Sequence, residues 1–147
     1  MAEPAPQDYP QHLFYDLENQ IWYEDLGDGT LRAGFTPVAM ELAGDVLVYT
    51  PKRIGRDFEA NRSFATIECG KWIGAARAAF DGIVAGHNEE LIRKPELLNE
   101  DAFGRAWMLV VAPARGDWAA GLVTGPEVAR AFADWVTGEG YRQRTEG

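Results

Sequence analysis

The sequence is poor in several of the residues that most chemistry relies on. Cys69 is the only cysteine in 147 residues, so an intrachain disulfide and a cysteine-based zinc site are both excluded. Two histidines, His12 and His87, lie far apart in the chain, a weak basis for a metal centre or a catalytic triad, and both read as structural or solvated. No apolar run approaches the roughly 20 residues of a membrane span. The opening MAEPAPQDYPQ carries acids and prolines where a secretion signal carries a basic stretch followed by an apolar one. These absences predict a soluble, cytoplasmic protein with no membrane span. Lysine is scarce as well: Lys52, Lys71 and Lys94 are the only three among 14 basic residues, so chemistry that needs an amine has three candidates.

Acids outnumber bases 23 to 14, a formal net charge of -9, and such a surface repels polyanions; nucleic acid is not an expected partner. With 46% of its residues hydrophobic, the chain suits one domain with a real core. Residues 1–11 read as a flexible lead-in, 12–138 as the domain and 139–147 as a flexible tail.

Within the domain, short β-compatible runs alternate with turn signals: IWYEDL, LRAGF, VLVYT, FATIEC, WIGAARA, GIVAGHN and AWMLVV. Asp28-Gly29 predicts a tight primed turn closing a hairpin over residues 21–35, because glycine reaches positive φ without steric cost. Pro37–Leu42 and Pro95–Glu100 read as single helical turns or little more. From Pro126, Val128, Ala131, Phe132, Trp135 and Val136 recur at helical spacing up to Gly138, which predicts one amphipathic helix closing the core. Alternation assigns Val46, Val48, Phe64, Thr66, Ile83, Met108 and Val110 to that core.

One lysine stands out by its setting. In FATIECGKWIGAA two β-compatible runs meet at Gly70-Lys71, which puts Lys71 at a hairpin tip; Lys52, beside Pro51, and Lys94, before Pro95, have no comparable setting. Local pattern alone leaves a solvated loop cation as the simpler reading.

Four separated blocks, kept in order, carry a resemblance: GDGTLRAGFTPVAMELAGDVLVY, FATIECGK, DGIV and NEELIRKPELLNEDAFGRAWML. Over roughly residues 20–136 the chain resembles the H protein of the glycine cleavage system and its relatives. That resemblance implies a mainly β flattened barrel-sandwich hybrid of the lipoyl/biotinyl-carrier type, with short helices and a C-terminal helix. It implies lipoic acid amide-linked to Lys71, with Glu68 the acidic residue of the attachment motif, Gly70 in the turn, and Gly82 the glycine of the returning strand. Asn61 stands where the family usually has glycine, and asparagine tolerates the left-handed backbone better than most residues. Such a protein is a carrier and not itself an enzyme. A five-membered dithiolane holds its C–S–S–C torsion far below the preferred ~90° and so is reduced readily; the protein supplies a rigid platform and a long tether.

The first strand departs from the family. Asn19-Gln20-Ile21-Trp22-Tyr23 stands where glycine-cleavage H proteins have His-Glu-Trp, and Trp72-Ile-Gly-Ala-Ala-Arg77 replaces a run ending Tyr-Ala-Pro. With Cys69 two residues before the lysine, these features resemble the lipoate-binding proteins of bacterial sulfur oxidation. The leading expectation is therefore an arm on Lys71 carrying sulfur intermediates with a heterodisulfide-reductase-like complex, the alternatives being an aminomethyl carrier of glycine cleavage and a non-lipoylated binding or regulatory module. Lipoate-attaching enzymes and dihydrolipoyl dehydrogenase are the further implied partners. Cys69 is a possible accessory thiol if exposed and shifted towards thiolate, and otherwise a small apolar strand residue.

Overall fold

The computed structural model describes residues 9–70 and 72–138. Among the described residues nine strands form two antiparallel sheets. The larger contains, in spatial order, β1 (Phe14–Asp16), β2 (Ile21–Asp25), β3 (Leu31–Phe35), β9 (Leu109–Pro113), β8 (Gly82–His87) and β5 (Asp57–Phe58). The smaller orders β4 (Val46–Pro51), β6 (Ser63–Cys69) and β7 (Trp72–Arg77). Mainly β, with short helices and a C-terminal helix, the fold is the barrel-sandwich that the resemblance implied.

Both faces of the larger sheet are covered at β2, so Ile21, Trp22 and Tyr23 are all buried in succession instead of alternating. Ile21 and Tyr23 face the main core with Leu31, Tyr49, Phe64, Ile67 and Met108. Trp22 faces a second core with Tyr9, Leu13, Tyr15 and Val38 beneath Val128 and Phe132 of the last helix. That helix, α4 (Val128–Thr137), follows a 3-10 turn at Gly125–Glu127 and buries Val128, Phe132 and Val136. Tyr9 stacks on Phe132 with ring centroids 3.8 Å apart, and the Tyr15 hydroxyl donates to the Pro10 carbonyl, so residues 9 and 10 belong to the folded body and not to a lead-in reaching residue 11. Residues 1–8 and 139–147 lie outside the described residues.

Three other expectations are corrected. The hairpin over 21–35 forms, but Asp25 pairs with Leu31, so the turn holds five residues, not a tight primed pair. The turn stays wide because side chains close it: Asp25 accepts from the Gly27 N–H and Asp28 from the Thr30 N–H, with Gly27 and Gly29 both at positive φ. Val48 and Ile83 are 40% and 49% exposed, not core. A bulge between Val46 and Val48 shifts the parity of β4 so that Tyr49 points inward, while Gly82 and Val84 take the inward positions of β8. Thr66 and Val110 are half-buried for the same reason of parity, since Ile67 and Val111 are the inward neighbours.

The helices α1 (Pro37–Ala43) and α3 (Leu97–Glu100) occupy the two expected segments, with Thr36 capping α1 by accepting from the Ala39 N–H. A further helix, α2 (Glu89–Arg93), was not expected, although its Asn88 cap and two leading glutamates form a readable start signal. No helix among the described residues is long and apolar enough to cross a membrane.

Candidate functional site at the β6–β7 hairpin

The residue types of β6 and β7 explain their hairpin: β-branched and small residues such as Thr66, Ile67, Ile73, Ala75 and Ala76 fill two strands whose backbones pair from Ser63↔Arg77 through to Cys69↔Trp72. That register leaves two residues for the connection, Gly70 and Lys71. Lys71 lies outside the described residues. Gly70 is exposed, and beyond its chain neighbours a Cβ placed on it would meet no described atom within 4 Å.

Behind the turn, side chains alternate across the sheet. Ala65, Ile67 and Cys69 point into the core, and Glu68 points out. Glu68 sits in register between Val48 of β4 and Ile73 of β7, which are 40% and 70% exposed. An outward carboxylate flanked by two exposed aliphatic side chains therefore borders the turn. Among the described residues no cation approaches Glu68 within 4.0 Å. Sequence reasoning found Glu68 but not Val48 and Ile73; cross-strand register is what joins the three.

Cys69 is 3% exposed and packs in the main core. Burial pushes its thiol pKa up, away from the thiolate that exchange chemistry requires. In this conformation it is a packing residue. Gly82 has a steric reason to be glycine: a Cβ there would lie 2.6 Å from the Ala112 carbonyl oxygen and 2.8 Å from Cζ of Phe58. Asn61 holds φ at 66°, the left-handed backbone expected of a residue standing in for glycine, and its N–H donates to Ala78 over 2.7 Å.

The remaining candidates lie apart from the hairpin. Lys52 follows β4 and donates its backbone N–H to Phe64, and Lys94 caps α2. His12 and His87 each pair with a glutamate, His12 with Glu24 at 3.9 Å and His87 with Glu89 at 2.7 Å. Among the described residues no three His, Cys, Asp or Glu side chains converge as metal ligands. In the turn before β2, Gln20 is buried at φ 57°, donates to the Leu17 carbonyl and accepts from the Thr36 hydroxyl, while Ile21, which opens β2, is wholly buried.

Residues 13–134 match the family described as glycine cleavage H-protein. The chain belongs to that family. The "Glycine cleavage system H protein 2" of Aquifex aeolicus is 34% identical over 131 residues, covering 88% of this chain and 81% of that one. The "Probable glycine cleavage system H protein 2" of Sulfolobus acidocaldarius is 29% identical over 95% of both chains. In fold, the crystal structure of a glycine cleavage system H protein from Mycobacterium marinum superposes with a TM-score of 0.74, at 24% identity, over 86% of this chain and all of that one. Members of the glycine cleavage H-protein family are lipoyl carriers and not catalysts, and they hold lipoate covalently on a lysine.

Proposed function

We propose that Lys71 is the lipoylated residue and that this H-protein-family chain carries an aminomethyl group between the enzymes of glycine cleavage. The observation that carries the attachment site is the two-residue closure of β6–β7 at an end of the sheet where nothing crowds Gly70. Neither other lysine follows an exposed glycine between paired strands. Glu68, Val48 and Ile73 form the rim that an attaching enzyme meets first. The dithiolane, once bound, supplies the reversible sulfur chemistry; the chain's own work is to carry the lysine between two paired strands. The names of the relatives support the aminomethyl cargo.

Intact-mass spectrometry after incubation with a lipoate ligase, ATP and lipoate tests the site. One lipoyl increment is expected on the wild type, Lys52→Arg and Lys94→Arg, and none on Lys71→Arg. An increment that survives Lys71→Arg overturns the assignment.

One observation favours a second reading, a sulfur carrier for a heterodisulfide-reductase-like complex. Gln20 and Ile21 are buried where glycine-cleavage H proteins have His-Glu, so neither position offers an imidazole or a carboxylate to an aminomethyl cargo. Glycine decarboxylase supplied with glycine separates the two: a mass gain on the lipoylated chain supports the aminomethyl carrier, and none supports the sulfur carrier.

A further inference from the structure

At the end of the three-stranded sheet remote from Gly70 the charge balance of the molecule reverses. Lys52, Arg53, Arg56, Arg62 and Arg77 gather there, five of the 14 basic residues of a chain with net charge -9. Backbone hydrogen bonds tie their segments together: Lys52 N–H to Phe64 O at 2.9 Å, Arg56 N–H to Arg53 O at 3.1 Å, and Ala78 N–H to Arg62 O at 2.9 Å. Arg77 reaches the same corner, donating from Nη1 to the Asn61 carbonyl over 3.2 Å.

Arg32, Arg105, Arg115 and Arg130 each have a carboxylate within 4.0 Å, whereas among the described residues none of the five does. The acids of the corner are Asp57 and Glu59, both exposed, and Asp81, which accepts from the Ala60 N–H. Two aliphatic side chains stand in the same place, Ile54 at 56% and Ile83 at 49% exposure, brought together by the Asp57↔Ile83 pairing and the Gly55 N–H to Val84 O bond. Arginine is enriched at protein interfaces relative to the rest of the surface.

We infer that this corner, comprising Lys52, Arg53, Arg56, Arg62 and Arg77 around Ile54 and Ile83, docks an acidic polypeptide segment of a partner protein. Charge complementarity names the occupant, and the range of the field selects it over a nucleic acid. At physiological salt a charge is felt over about 8 Å, so a short acidic segment meets only the corner, whereas an extended polyanion also meets the acidic remainder of the surface. The seven residues of β6 separate the corner from Gly70 by roughly 20 Å at ~3.3 Å per residue. A partner gripping the corner therefore leaves the hairpin turn uncovered and raises its local concentration at a reaction site. The binding itself does not depend on lipoylation of Lys71; only that consequence rests on the proposed function.

The test is fluorescence anisotropy of a labelled six-residue glutamate peptide, about 20 Å long when extended, with the full chain. Binding is expected at 50 mM salt, weakened at least tenfold at 300 mM, and weakened at least tenfold by Arg53→Glu, Arg56→Glu and Arg62→Glu together. A control triple of equal charge change, Arg93→Glu, Arg115→Glu and Arg130→Glu, is expected to retain at least half the affinity. If the first triple fails to fold by circular dichroism, Arg53→Gln with Arg56→Gln is expected to weaken binding at least threefold. The inference is overturned by no binding to the wild type, by equal losses in the two triples, by no loss in the Gln pair, or by tighter binding of a single-stranded oligonucleotide of equal charge.

Discussion

The hairpins β2–β3 and β6–β7 share an antiparallel register but close in opposite ways. The first closes over five residues and satisfies itself, with Leu26 N–H donating to Thr30 O at 3.1 Å and Asp25 and Asp28 accepting from the turn amides. Its strands are locked by contacts with no spare volume, since Trp22 lies across Gly34 and donates its indole N–H to the Ala102 carbonyl over 3.0 Å. The second closes over two residues, and a Cβ on Gly70 would meet no described atom within 4 Å beyond its chain neighbours. A turn whose polar groups are occupied by its own carboxylates serves the fold, whereas a bare turn on a well-paired stem is free to present a side chain to another molecule.

The largest difference between the two is expected at their glycines. A Cβ at Gly34 would sit 2.6 Å from the buried indole of Trp22, a rigid neighbour, so Gly34→Ala should cost about 3 kcal/mol in chemical denaturation. Next comes the stem of the bare turn. Cys69→Ser places an unpaired hydroxyl in the core and should cost about 1–2 kcal/mol. In the native wild type the Cys69 thiol should react with a thiol reagent many times more slowly than after unfolding; equal rates would remove Cys69 from the core.

Gly70→Ala should change stability by less than about 0.5 kcal/mol, because the added methyl meets only solvent. A larger loss would show that the bare turn is constrained after all. The smallest effect belongs to Asp28. The Thr30 hydroxyl, then the Thr30 N–H, holds its carboxyl below the usual carboxylate range. A depressed folded-state pKa means that this contribution is present above the unfolded value, about 3.9, and is lost as pH falls through the lower folded value. The Thr30 amide resonance should therefore titrate with a midpoint below about 3.9, and Asp28→Ala should abolish that titration.

Most strands were legible because their apolar runs are short and bounded by glycine, proline or aspartate, and LRAGF coincides with β3 residue for residue. The two-residue strand β5 and the three-residue β1 were not, since each is too brief to show a period and exists through its partners. Inward and outward faces failed at Val48, where the bulge in β4 shifts parity without leaving a mark in composition. In the candidate site, Glu68, Gly70 and Lys71 could be read from their order along the chain. The exposed partners Val48 and Ile73 could not, because they come from the two strands on either side and meet Glu68 only through register.

By itself, the order of residues determined the local matters: which segments extend, that a glycine and a lysine are left between two of them, and that one thiol and three amines bound the available chemistry. Such features depend on neighbours in the chain, whose steric and hydrogen-bonding preferences act over a few residues. Tertiary structure alone decided that Cys69 is enclosed, that the Gly70 turn is open, and that five cations from three segments converge at the far corner of the sheet. Burial and charge density are sums over every segment that packs nearby, and no single stretch of sequence contains that sum.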